Sequence, residues 1–278
     1  MTMPQSGHPT EQPSARELDE EACRRIVEAT FLAGAELAEE TGSTNDDCLA
    51  AIRAGRLPQH PWLFVTNHQG RGRGRAGSHW WSPPGALAFT IALQLEDPAG
   101  QSLLSLLSAV AACRALESTT GCPPLAIKWP NDIYCRGRKL AGILIESPDG
   151  GKTFALGIGI NLNNSTDLAP VEIAPQAIAV VDITGTTVSP ESVLTGVLHE
   201  IELLLSALRT NDLSIADQWR ARCMLKGQTV GVRHGGLLVK GVCQGIDDLG
   251  HLVVMDQGEA VRLASGSIEW IEADKPRE

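Results

Sequence analysis

Lys128-Trp129-Pro130-Asn131-Asp132-Ile133, with Arg138-Lys139-Leu140-Ala141-Gly142-Ile143-Leu144-Ile145-Glu146 close behind it, sets charged and amide groups among residues that otherwise read as strand. The apolar runs Ala126 to Tyr134 and Leu140 to Glu146, separated by the turn-like Arg136-Gly137, predict two strands joined by a hairpin. Ammonium and carboxylate groups are costly to take out of water, so Lys128, Lys139 and Asp132 are expected to find their balance in an anionic ligand. The plainer alternative is a surface hairpin with a Lys–Asp ion pair, which contributes little. Trp-Pro-Asn between the lysine and the aspartate is an odd choice for a generic strand end.

Outward from this hairpin, Asp149-Gly150-Gly151 leads to a third strand, Phe154 to Asn161, and successive hairpins imply largely antiparallel pairing. On the N-terminal side, Ala35 to Glu39, Trp62 to Thr66 and Leu87 to Leu95 are strand candidates. A helix is predicted over Arg16 to Thr30, where Leu18, Cys23, Ile26 and Val27 recur at helical spacing, and another over Ser102 to Glu117. Thr41 to Asp47 offers hydroxyls and acids before Leu49, Ala50 and Ile52, the signature of a loop entering a helix. The polar segment Asn163 to Thr187 reads as a candidate substrate-ordered loop, followed by helices over Pro190 to Leu208 and Leu213 to Cys223. From Lys226 the character changes to short β-rich runs between glycines, over Thr229 to Arg233, Leu237 to Cys243, His251 to Asp256 and Ala260 to Leu263, which predict a separate small β-barrel. The expected organisation is a floppy tail over 1–14, a main domain over 15–224 and the barrel over 225–278.

Composition narrows the function classes. The 278 residues are 43% hydrophobic, ample for a packed core, and 33 acidic against 23 basic residues give a net charge of −10. That charge disfavours non-specific nucleic-acid or anionic-membrane binding, so any basic site is local. Seven cysteines without a C-x-x-C pair offer neither a disulfide framework nor zinc-ligand spacing and fit a reducing cytoplasm. Neither a leader at Met1 to Ser14 nor a membrane span at Leu103 to Cys113 is expected.

Three further constellations carry chemistry. Gln69-Gly70-Arg71-Gly72-Arg73-Gly74-Arg75-Ala76-Gly77 combines glycines, which let backbone approach a ligand, with planar guanidinium donors for carboxylate or phosphate. It contains G-x-G-x-x-G at Gly72, Gly74 and Gly77, but Trp80-Trp81-Ser82-Pro83 follows where a dinucleotide fold would open a helix. A solvated flexible loop is its bland alternative, and such a glycine-rich run is not expected to hold itself in place. Gly157-Ile158-Gly159-Ile160-Asn161 places glycines inside an apolar strand, the mark of a bulge or of a close approach by ligand or backbone. Ser43-Thr44-Asn45 serves either as a helix cap or as hydrogen-bonding groups for a polar ligand head. No Walker A or G-x-S-x-G sequence is present, so an ATP-using enzyme would need another kind of nucleotide site.

Taken in order, Gly72-Arg73-Gly74-Arg75, Trp80-x-Ser82-Pro83, Lys128-Trp129-Pro130-Asn131-Asp132 and Lys139-Leu140-Ala141-Gly142-Ile143-Leu144 resemble the biotin protein ligase family. The resemblance covers about Thr41 to Asn163 and continues weakly into the C-terminal module. It implies an α+β fold in which a mixed, mostly antiparallel sheet is backed by helices, similar to class II aminoacyl-tRNA synthetases, with a C-terminal SH3-like β-barrel. It implies two half-reactions: biotin and Mg-ATP give biotinyl-5'-AMP and pyrophosphate, and a lysine of a biotin carboxyl carrier protein then takes the biotinyl group. By the same resemblance Lys139, Arg73, Arg75 and Lys128 are the catalytic cations. Ser43, Thr44, Asn45, Gln69, Arg73, Gly74, Arg75, Lys139 and Gly157 would hold biotin. Gly72, Arg75, Trp80, Lys128, Asn131, Asp132 and Asn161 would serve ATP or the adenylate, with Asp132 a candidate for Mg2+. A monomer or homodimer without specific DNA binding is implied, since the residues before Thr41 are too few for a typical winged DNA-binding domain. Lipoate or octanoate transfer and biotin-responsive regulation are the alternatives. One departure stands out: Gly77-Ser78-His79-Trp80 lacks an arginine that the family often carries there, and Arg71 and Arg138 are the candidates to replace it.

Overall fold

Asp19 opens the first helix, α1 (Glu20–Ala29): its carboxylate accepts the Ala22 N–H at 2.7 Å, so the helix begins four residues later than the apolar spacing suggested. The computed structural model describes residues 17–95, 100–209 and 214–272; the tail expected over 1–14 lies outside them.

Seven strands form the main sheet: β1 (Gly34–Thr41), β2 (Trp62–Gln69), β3 (Leu87–Gln94), β4 (Ala126–Lys128), β5 (Asp132–Cys135), β6 (Arg138–Glu146) and β7 (Thr153–Ile160). Their order is β1-β2-β3-β7-β6-β5-β4. β1 and β2 run parallel, and every other neighbouring pair is antiparallel. The parallel step needs a crossover, supplied by α2 (Thr44–Arg53). Alternation along the strands divides the core: Phe64, Ala92 and Ala155 pack with Cys48, Leu49 and Ala51 of α2. Leu63, Val65, Ile91 and Leu156 belong to the larger cluster with α3 (Gly100–Thr120) and α5 (Pro190–Arg209). β3 is buried on both faces, which explains its unbroken apolar run.

One expectation is corrected. The single strand read over Ala126 to Tyr134 is a hairpin, β4 and β5, because Pro130 has no N–H with which to continue a ladder. Trp129 beside it is buried, and its indole N–H donates to the Gly250 carbonyl at 3.2 Å. The segment 163–187 is held against the sheet and contains a short helix, α4 (Val180–Thr184). Lys139 N–H donates to the Gln176 carbonyl at 2.7 Å, and Ile178 N–H donates to the Lys139 carbonyl at 3.0 Å.

Helix α6 (Ser214–Arg222) leads to a second, five-stranded antiparallel sheet of SH3-like kind. Its strands are β8 (Thr229–His234), β9 (Leu237–Ile246), β10 (Leu252–Asp256), β11 (Glu259–Leu263) and β12 (Ser267–Glu272), in the order β11-β10-β9-β8-β12. β12 was not expected from the sequence; its Trp270 ring lies where a Cβ on Gly231 would stand, 2.3 Å from it. Val230, Val232, Leu252 and Val254 join the same apolar cluster as α3 and β6, so the two sheets share one core. No helix among the described residues is long and apolar enough to cross a membrane.

Trp219 of α6 is fully buried in that shared core with its indole N–H unpartnered. Trp219→Ala should cost about 3–5 kcal/mol in denaturant unfolding through the cavity it leaves. Trp219→Phe should cost clearly less, because it removes a buried donor that has no acceptor.

Candidate active site

Three glycines clear one face of the β6–β7 pair. Gly142 and Gly159 are register partners, and Gly157 lies two residues along β7 on the same face. A Cβ on Gly157 would stand 2.0 Å from Asn45 Oδ1, and one on Gly159 would stand 2.6 Å from the Trp80 ring. The missing side chains therefore let Asn45 and Trp80 lie against strand backbone. Between them opens a cavity of about 50 Å³, lined also by Ser43, Thr44, Gln69, Arg73, Gly74, Asn131, Asp132 and Lys139.

The polar floor is built by α2 and its neighbours. Ser43 takes the N-cap position of α2, yet its side chain makes no capping bond. Gln69 Oε1 instead accepts the Thr44 N–H at 2.9 Å, and the buried Ser43 hydroxyl lines the cavity. Thr90 of β3, fully buried, places its hydroxyl 2.7 Å from Asn45 Oδ1 and 2.8 Å from Thr44 Oγ1. Asn45 Nδ2 donates to Glu146 Oε2 at 2.9 Å. Asn45 is thus largely committed to the protein's own groups, fixing the floor more than presenting donors to it.

Lys139 has a partner within the chain. Its ammonium already sits 2.7 Å from Asp132 Oδ1 and 5.6 Å from the centre of the Trp80 ring. The partner of that aspartate is therefore Lys139, although Lys128 is its cross-strand neighbour. Arg73 is likewise paired, with Glu146 through contacts of 2.8 and 3.2 Å and with Asp46 at 2.7 Å. The hydrogen bond to Glu146 raises the guanidinium pKa further.

The glycine and arginine loop is held by its own backbone: Gly74 N–H donates to the Ser78 carbonyl at 2.7 Å and Trp80 N–H to the Gly72 carbonyl at 2.9 Å. Gly72 is enclosed, since a Cβ there would stand 2.6 Å from the Trp80 carbonyl oxygen. Arg75 points elsewhere, lining a second cavity of about 280 Å³ between Trp129, Ile143 and the loops at Gly250 and Ser265. Its guanidinium donates to the Gly266 carbonyl at 3.1 Å, and burial pulls its pKa down. A third cavity of about 250 Å³ lies between Trp80, Trp81, Tyr134, Asn161 and the 172–177 segment. Trp80 and Lys139 line both the first and the third.

Lys128 lines none of these three cavities; its ammonium lies 5.7 Å from the Tyr134 ring centre, and burial lowers its pKa. Burial raises the Tyr134 hydroxyl to about 12, so it stays protonated. Neither Arg71 nor Arg138 lines any of these three cavities; Arg71 packs against Gly42, and His79 faces the third cavity instead. The site residues absent from the sequence-based set include Thr90, Asp46, Glu146 and Tyr134. Thr90 had a signal, a lone hydroxyl in the apolar run of β3.

The Biotin/lipoate A/B protein ligase family model matches residues 38–163, the span that contains this site. A biotin-[acetyl-CoA-carboxylase] ligase of Mycobacterium tuberculosis is 31% identical over 235 residues, 82% of this chain and 86% of that protein. One of Paracoccus denitrificans is 35% identical over 224 residues, 77% of this chain and 91% of that protein. The solved biotin protein ligase of Aquifex aeolicus in complex with biotin and ATP superposes with a TM-score of 0.76 at 25% identity, covering 86% of this chain and 98% of that one. The chain belongs to the biotin/lipoate A/B protein ligase family.

Gly159→Ala should displace the Trp80 ring, read as a change in indole fluorescence, with a melting shift of only a few degrees because the ring lies on a loop that can yield. For Lys128, burial places the folded-state pKa below the ordinary 10.5, so its ammonium opposes folding at neutral pH. Lys128→Met should therefore melt higher than wild type at neutral pH. The gap should close as pH rises through the lowered pKa toward 10.5, where the wild-type lysine loses its charge in both states.

Proposed function

We propose that the chain is a biotin protein ligase: it joins the biotin carboxylate to the α-phosphate of ATP and passes the biotinyl group to a lysine of a biotin carboxyl carrier protein. The observation that carries this reading is the sharing of Lys139 and Trp80 between the glycine-floored cavity and the neighbouring aromatic one. A reaction between two anions needs a cation at their junction, and Lys139 stands there.

In this reading the biotin head enters over Ser43, Thr44, Gln69 and Gly157, with Arg73 and Gly74 at its side, while Trp80, Tyr134 and Asn161 wall the nucleotide. A biotin carboxylate oxygen attacks the α-phosphorus and pyrophosphate leaves. Lys139 moves from Asp132 to the developing charge, and Arg73 exchanges a carboxylate of its own chain for the substrate's. Asp132 is the carboxylate that would hold a magnesium ion, which would supply neutralisation of phosphate charge. The carrier lysine, as neutral amine, then attacks the acyl carbon and AMP departs. Gly72 and Asn131 shape the walls, while Lys128 and Arg75 act from beyond the first cavity, Lys128 through the local field and Arg75 toward the second. The same reading takes the chain to act in the cytoplasm as a monomer or homodimer, without a DNA or membrane partner.

Incubation with ATP, magnesium, biotin and a carrier domain should add one biotinyl mass to the carrier, and lipoate should not replace biotin. Labelling with lipoate alone would reassign the substrate. Lys139→Met should lower biotin-dependent ATP–pyrophosphate exchange by at least about a hundredfold. It should leave the protein folded, with a small change in unfolding free energy, since the pair it breaks is only partly buried.

A further inference from the structure

Glu146, the last residue of β6, does not line the acyl cavity, yet it ties together two groups that do. Its Oε2 accepts from Asn45 Nδ2 at 2.9 Å and from Arg73 Nη2 at 2.8 Å, and its Oε1 lies 3.2 Å from Arg73 Nη1. Asn45 forms the cavity floor and Arg73 stands at its side. One carboxylate behind both therefore sets their separation.

We propose that Glu146 is a positioning residue for the acyl substrate, acting through Asn45 and Arg73 without touching biotin. The inference rests on the biotin ligase reading above. The two arms of the contact differ in how replaceable they are. Arg73 keeps a second carboxylate, Asp46 at 2.7 Å, so it stays tethered when Glu146 is lost. For Asn45 Nδ2 the remaining acceptor is the Leu144 carbonyl at 3.4 Å, a long contact. The orientation of that amide matters because its Oδ1 occupies the space a Cβ on Gly157 would take, and it accepts from the fully buried Thr90. Losing Glu146 leaves the amide free to turn, reversing donor and acceptor against Thr90 and the floor of the pocket. Thr90 and Glu146 thus hold opposite ends of one side chain, and their effects are coupled.

The test is steady-state ATP–pyrophosphate exchange by full-length wild type, Glu146→Gln, Glu146→Asp, Thr90→Val and the Glu146→Gln/Thr90→Val pair, varying biotin and ATP separately. Glu146→Gln, which keeps an acceptor for Asn45 but removes its charge, should raise KM for biotin by about tenfold, the difference between a charged and a neutral acceptor. KM for ATP should stay within about twofold. Glu146→Asp, which keeps the charge, should fall between it and wild type. Thr90→Val should also raise KM for biotin, and the double variant should lose less than the product of the singles, since both act on Asn45. Equal rises in both KM values, a multiplicative double variant, or an unchanged KM for biotin in a folded Glu146→Gln protein would overturn the assignment. Absence of biotin-dependent exchange in the wild type would instead remove the ligase reading on which it rests.

Discussion

The missing Cβ atoms of Gly142, Gly157 and Gly159 set the geometry on which the rest of the site depends. A sheet face normally presents side chains every second residue, about 6–7 Å apart along the strand, and these would fill the space above β6 and β7. With glycines there, Asn45 from α2 and Trp80 from the β2–β3 loop come down onto backbone. Helix α2, the sheet and the glycine and arginine loop thereby meet around one cavity. Any side chain at Gly157 or Gly159 would lift one of these walls.

Charge is balanced internally around that cavity. Arg73 is held by Asp46 and Glu146, and Lys139 by Asp132. Such pairs let cations wait near a partly buried site without the full penalty of desolvation, and an incoming anion exchanges one partner for another. The cavity so enclosed is small, about 50 Å³. The second sheet adds to the core and closes the cavity beside Trp129, with Arg75 reaching across to Gly266.

Much of this was legible from local pattern. Lys139, Asp132 and Gly157 stood out because charge or glycine inside apolar strand residues is costly without a reason, and the structure places all three around one cavity. The antiparallel hairpins followed from turn residues at Arg136-Gly137 and Asp149-Gly150. What could not be read was the partner of each group. Asn45 and Glu146 are 101 positions apart, and their meeting depends on α2 crossing over β7, which strand pairing across the sheet decides. The direction of Arg75 had the same difficulty, because its acceptor at Gly266 is 191 residues away. β12 escaped notice since its pattern is interrupted by a register shift between Ile268 and Trp270.

In the ligase reading the first and third cavities form one continuous site joined at Lys139. Calorimetric titration with a non-hydrolysable biotinyl-adenylate analogue tests it most directly. A molecule spanning both cavities should bind at least about a hundredfold more tightly than biotin alone, as expected when two fragments are linked without strain. It should also exclude biotin and ATP together. Binding no tighter than biotin, or continued ATP binding in the presence of the analogue, would contradict a shared site.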